Sequence, residues 1–186
     1  MASQYWVSLL NAAQTNQNTT GAALASSTTL TDISAGANTA GQALTLPPSF
    51  LQPGMQLRFR ANGIFSTTGT PTLLLGLYYG GVAGTALAAT AATTTASGVA
   101  NGVWILDATA RVATTGTSGT VLTIGSVLGI GAAATTPTLM PATSGSGGSA
   151  TVNTSTANIV TVGAQWGTNS ASNTITCKQL LVLGLN

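Results

Sequence analysis

The sequence predicts an all-β chain, an antiparallel β-sandwich of jelly-roll type with about eight to ten strands, and three observations predict it. Gly, Thr, Ser and Asn run through every window and Glu is absent, so the Leu/Glu/Lys/Arg mixture that builds helices never occurs. Apolar residues recur at every second position in several segments, the period of a half-buried strand. Gly, Pro, Ser and Asn punctuate those segments at short intervals, as turns between strands do.

Along the chain, residues 11–29 lack alternation, and residues 1–29 are expected to form an extended N-terminal arm that can carry a short strand, with one sandwich domain over 30–186. "LTDIS" and "QALTLP" are short strand candidates. "MQLRFRANGIFS" (55–66) places Leu57, Phe59, Ala61, Gly63 and Phe65 on one face and Arg58, Arg60 and Asn62 on the other, so one face is core and the other is wet or shared. "PTLLLGLYYGG" (71–81) is apolar on both faces: Leu73, Leu75, Leu77 and Tyr79 oppose Leu74 and Tyr78. The first set meets the second sheet. The other must meet either a loop of the same chain or a neighbouring subunit, which makes Tyr78 a candidate interface residue. "GTALAAT" is a further short strand. "GVWILDATARVA" (102–113) sets Trp104, Leu106, Ala108, Ala110 and Val112 against Asp107, Thr109 and Arg111, and "GTVLTIGSVLG" follows it. Residues 131–157, with Pro137, Pro141 and "SGSGGS", read as a long loop. "NIVTVGAQWG" turns Val160, Val162, Ala164 and Trp166 to one side, and "NTITCKQLLVLGL" supplies the last strand. Cys177 in that strand is expected to be a small buried hydrophobe.

Charge is the most informative part of the composition. Only 3% of the 186 residues are charged, against about 25% in an average soluble domain. The net charge of +2 comes from Arg58, Arg60, Arg111 and Lys178 against Asp32 and Asp107, scattered along the chain. That pattern argues against nucleic acid as a partner, which needs several cations on one face. Little net charge also means little self-repulsion, so association costs little. No apolar run reaches the ~20 residues a membrane-spanning helix needs, so no membrane partner is expected. "MASQYWVSLLNAAQ" has neither the basic nor the apolar region of a secretory signal, and without export the acceptor-like "NTT" at Asn18 and "NTS" at Asn153 are chance matches.

Catalysis is not expected. His and Glu are absent, and Asp32 and Asp107 stand far apart in sequence, leaving no paired acid and base. Asp32 reads as a turn residue bonded to its own backbone. Asp107, on one strand face with Arg111, reads as an ion-pair partner for an arginine. Arg58, Arg60 and Arg111 together form a candidate cationic patch that is either solvated, paired with Asp107, or turned to an acidic partner. No nucleophile has a base, a lone cysteine makes no thiolate site, and neither glycine cluster carries a phosphate-loop lysine; no catalytic residue, metal or cofactor is predicted.

The segment "LTLPPSFLQPGMQLRFRANGIFSTTGTPTLLLGLYYGGVAGTALAAT" (44–90), the Trp-bearing strand "GVWILDATARV" and the terminal strand ending in "LGLN" resemble a pattern in structural proteins of tailed bacteriophages, from about residue 28 onward. Such proteins are similar to head decoration or minor capsid proteins. The resemblance implies a β-sandwich that forms a homotrimer on the exterior of the virion and binds the major capsid protein. It also implies synthesis in a bacterial cytoplasm and an arm stapled to the shell. Tyr5 and Trp6 are candidate anchors of that arm, their other place being the sandwich's own core. Three other readings are a tail-fibre or receptor-binding tip, a carbohydrate-binding module, which wants exposed aromatics in a line, and an ice-binding surface, which wants a regular Thr ladder.

Overall fold

The computed structural model describes residues 7–9, 23–34, 44–133, 135–140 and 148–185. Among them are fourteen strands and no helix: β1 (Val7–Leu9), β2 (Leu24–Ala25), β3 (Thr31–Asp32), β4 (Leu44–Leu46), β5 (Gln56–Ser66), β6 (Thr72–Tyr79), β7 (Thr85–Ala89), β8 (Thr93–Thr94), β9 (Gly102–Thr114), β10 (Gly119–Leu128), β11 (Thr138–Met140), β12 (Ser149–Val152), β13 (Asn158–Trp166) and β14 (Thr174–Leu185). Every pairing is antiparallel. The larger sheet runs β1-β14-β5-β9-β10-β11, with β12 also on β10 and β2 also on β14. The smaller runs β3-β13-β6-β7, with β4 also on β13 and β8 also on β6. The chain is therefore an all-β sandwich.

Alternation decides which face of each long strand is inside. Leu57, Phe59, Ala61 and Phe65 of β5, and Trp104, Leu106, Ala108, Ala110 and Val112 of β9, are all buried, as are Val160, Val162, Ala164 and Trp166 of β13. They meet Leu73, Leu75, Leu77 and Tyr79 of β6 in one core. Burying a large apolar side chain of this kind stabilises the fold by about 1.5–3 kcal/mol relative to exposure. In β14 the alternation would fail without a bulge. The ladder to β5 shifts between Cys177 and Gln179, so Lys178 is the extra residue, and both Cys177 and Leu180 face inward.

The strand count exceeds the eight to ten expected, because seven of the fourteen are pieces of two to four residues too short to show a period. Two of these, β11 and β12, fall inside the segment 131–157 that sequence marks as a loop, and both hydrogen-bond to β10. β1 and β2, within the expected arm, pair with β14.

Tyr78 is 5% exposed within its own chain, so at this position the second face of β6 is covered locally, the own-chain alternative of the two that the sequence left open. Gly76 of β6 and Gly163 of β13 are direct cross-strand partners, and the Tyr78 ring lies over both. A Cβ on Gly163 would stand 2.8 Å from Tyr78 Cε2 and 2.9 Å from Val82 Cγ1. The turn after β6 thus folds back over the same glycine, held by Gly80 N–H donating to Ile159 O and Gly84 N–H to Gly81 O. An aromatic ring laid across a glycine pair replaces the side-chain contacts that pair lacks.

Candidate interaction face

The outward face of the larger sheet collects most of the chain's unusual chemistry. Odd-numbered residues of β9 and even-numbered residues of β5 and β10 point away from the core, and the register lines them up across the sheet. One row reads Leu181, Arg60, Asp107, Ser126 and Leu139, the next Leu183, Arg58, Thr109 and Ile124. On one side of these lies Gln179, Asn62, Ile105 and Leu128; on the other, Leu185, Gln56, Arg111 and Leu122. Four of the six charged residues in the chain, Arg58, Arg60, Asp107 and Arg111, are on this face. So are all six exposed large hydrophobic residues among those described: Val103, Ile105, Leu122, Ile124, Leu128 and Leu139, with Ile124 75% exposed.

Asp107 is the hub of the charges. Arg58 grips it with both ends of its fork, Nε donating to Oδ1 at 3.1 Å and Nη2 to Oδ2 at 2.7 Å. Arg60, its direct cross-strand partner, holds Nε 3.4 Å from Oδ2. The hydrogen bond to Asp107, then its negative charge, raise the Arg58 pKa above its ordinary value. Bidentate geometry fixes the guanidinium plane, which a lysine at the same place would not do. The side chains of Arg58 and Asp107 are 45% and 35% exposed, so the pair orients the surface more than it stabilises the fold. Arg111 makes no ion pair among the described residues.

Beside the hub, Arg60, Asn62, Val103, Ile105, Gln179 and Leu181 line a groove of ≈ 310 Å³ on β14, β5 and β9. Asn62 Nδ2 donates to Gln179 Oε1 at 2.9 Å, which ties the two strands together at its polar side.

The remaining sequence-predicted sites lie elsewhere. Asp32 Oδ1 accepts from both the backbone N–H and the hydroxyl of Ser34 at 2.8 Å, the turn role expected of it. Cys177 is buried, and burial pushes its thiol pKa from an ordinary 9.0 up to about 12. Burial likewise raises the phenols of Tyr78 and Tyr79. Trp104 and Trp166 are fully buried, so neither contributes to a line of exposed aromatics. Tyr5 and Trp6 lie outside the described residues. No group of three metal-ligating side chains occurs among those described. No described helix is long and apolar enough to cross a membrane.

Sequence reasoning found the polar half of this face and missed the apolar half. The signal was present: "TVLTIGSVL" is apolar in both phases, Val121 and Val127 inside and Leu122, Ile124 and Leu128 outside. No protein-family model, curated protein or solved structure matches this chain.

Proposed function

We propose that the protein is a structural assembly protein that works by binding a larger particle, and more narrowly a decoration protein of a tailed-bacteriophage head that acts as a homotrimer on the major capsid protein. The observation that carries the reading is the outer face of the larger sheet. In a chain with almost no ionisable residues, four of six charges share one face with every described exposed large hydrophobic. Apolar residues mixed with arginine are the composition of binding surfaces. The resemblance of residues 44–90 to phage structural proteins narrows assembly to head decoration. Its mechanism is mass action: a protein that binds only the assembled shell stabilises that shell by the binding free energy, and a trimer multiplies weak contacts.

The test is native mass by light scattering, followed by co-sedimentation with heads and antibody labelling of virions. The reading expects a stable trimer, label on the head, and heads that withstand more heat when coated. Label confined to the tail, or a monomer that sediments with no head, ends it.

A further inference from the structure

Three arginines and one aspartate on the outer face leave a net charge of +2 there (Arg58, Arg60 and Arg111 against Asp107). The chain has only one other side-chain carboxylate, Asp32, and its Oδ1 already accepts two bonds from Ser34. A second copy laid on this face therefore has little to offer it: face to face it brings like charge, and from any other side it brings Asp32 alone. Like charges set opposite one another disfavour a contact, whereas complementary ones steer it. Single-stranded or duplex nucleic acid fits poorly as well, because phosphate binding is built from several free cations. Here Arg58 is committed to Asp107 by both ends of its fork and Arg60 stands 3.4 Å from the same carboxylate, which leaves Arg111 as the face's one arginine without an ion pair among the described residues.

We propose that this face docks a different protein that presents an apolar side chain flanked by carboxylates, with the groove at Arg60 as its anchor point. The apolar side chain lies against Val103, Ile105 and Leu181, and a neighbouring carboxylate accepts from the Arg60 guanidinium, whose side chain is 54% exposed at the groove's edge. Asp107 holds Arg60 and Arg58 side by side without neutralising both, so a positive rim is retained next to the apolar floor. The Asn62 and Gln179 amides supply further donors and acceptors for the partner's backbone. This deepens the assembly reading by naming the chemistry of the partner surface, and it places the contacts between copies of this chain on other faces.

The probe is a blocked pentapeptide of leucine flanked on each side by two aspartates, titrated at low salt into the isotope-labelled full chain and followed by NMR. Its controls replace the aspartates by asparagine, or the leucine by alanine; an oligothymidylate of four nucleotides is the nucleic-acid arm. The proposal expects saturable shifts at the Val103, Ile105 and Leu181 methyls and at the Arg60 guanidinium, with a Kd on the order of millimolar. The asparagine peptide should bind up to about fivefold more weakly, the upper range for one exposed ion pair. The alanine peptide should lose the methyl shifts. Arg60→Gln should weaken the aspartate peptide with an unchanged unfolding midpoint. Equal binding of the aspartate and asparagine peptides, shifts mapping away from the groove, oligothymidylate binding in place of the peptide, or no saturation would each overturn it. A trimer that coats heads yet ignores the peptide sinks the groove alone. A chain that takes the peptide but stays monomeric and off the heads sinks head decoration alone.

Discussion

Gly163→Ala is the substitution that best separates a Tyr78 held by its own chain from a Tyr78 offered to a neighbour. In a strand, Ala ordinarily improves on Gly, which packs no side chain. Here the new Cβ would stand 2.8 Å and 3.1 Å from the Tyr78 ring and 2.9 Å from Val82 Cγ1, well inside ordinary contact. Overpacking of this order costs about 1–3 kcal/mol. Tyr78→Ala removes a ring that is 5% exposed and should cost about 3–4 kcal/mol, in the range for aromatic-to-alanine changes in cores. In that background two of the three nearest contacts of the added methyl are gone and the third, Val82, sits on a partly buried turn that can shift, so the cost of Gly163→Ala should fall close to zero. The double variant is thus more stable than the sum of the singles by at least about 1 kcal/mol. Guanidinium unfolding of the four proteins, with the slope constant across the set, gives the cycle. Gly163→Ala costing the same in both backgrounds, or nothing in the parent, would refute the packing argument. Tyr78→Ala that leaves unfolding unchanged but alters native mass would return Tyr78 to an intersubunit contact.

Alkali should destabilise the protein through its buried acids. The folded-state pKa of Cys177 lies above its ordinary value, so its contribution is full below pH 9.0 and is lost as pH climbs toward about 12. At the limit this is on the order of 4 kcal/mol, with Tyr78 and Tyr79 adding loss in the same direction at higher pH. Cys177→Ala should unfold somewhat more easily at neutral pH but lose stability less steeply between about pH 9 and pH 10.5, by close to one proton in the linkage slope; equal slopes would falsify the assignment. Asp107→Asn should change the unfolding free energy by no more than about 1 kcal/mol, less at high salt, since both partners of the ion pair are substantially exposed. A loss above about 2 kcal/mol would mean that the Arg58 pair holds the sheet together, not just its surface.

The legible part of the fold was the set of long strands whose two faces differ. β5 and β9 alternate cleanly, β13 is buried on both faces from Val160 to Ala164, and every residue assigned to the inner faces of the three is buried. Strands of two or three residues left no period to read, and β3, β4 and β8 exist because longer neighbours offer them a ladder. The Cys177 bulge was hidden for a related reason: one extra residue changes the phase of a pattern, and without knowing the partner strand the two halves of β14 look like two different faces. Strands apolar on both faces were visible in sequence, but not the fate of the second face. β6 and β10 share that signature. The outer face of β6 is roofed by Tyr78, Val82 and the turn between them, whereas that of β10 carries Leu122, Ile124 and Leu128 into solvent. What distinguishes them is glycine: Gly76 and its cross-strand partner Gly163 leave a hollow that an aromatic ring fills, while the outward positions of β10, Thr120, Leu122, Ile124, Ser126 and Leu128, hold no glycine.

Charge tells the same story at the scale of the whole surface. In most soluble domains charged side chains are spread widely and their positions say little. In this chain hydroxyls do much of the polar work, and even inside the protein threonines close backbone valences, as when Thr67 Oγ1 donates to Ala96 O at 2.7 Å and Thr95 Oγ1 to Pro71 O at 2.9 Å. Once charge is no longer needed everywhere, its position becomes informative. Arg58 and Asp107 are 49 residues apart in sequence and come together only because β5 and β9 are neighbours in the sheet. Their meeting, with Arg60 beside them, on the one face that also leaves isoleucine and leucine in water, sets one surplus positive charge at a groove floored by Val103, Ile105 and Leu181. A surface meant only to stay in solution has no use for that arrangement, because exposed ion pairs add little stability and exposed branched side chains favour association.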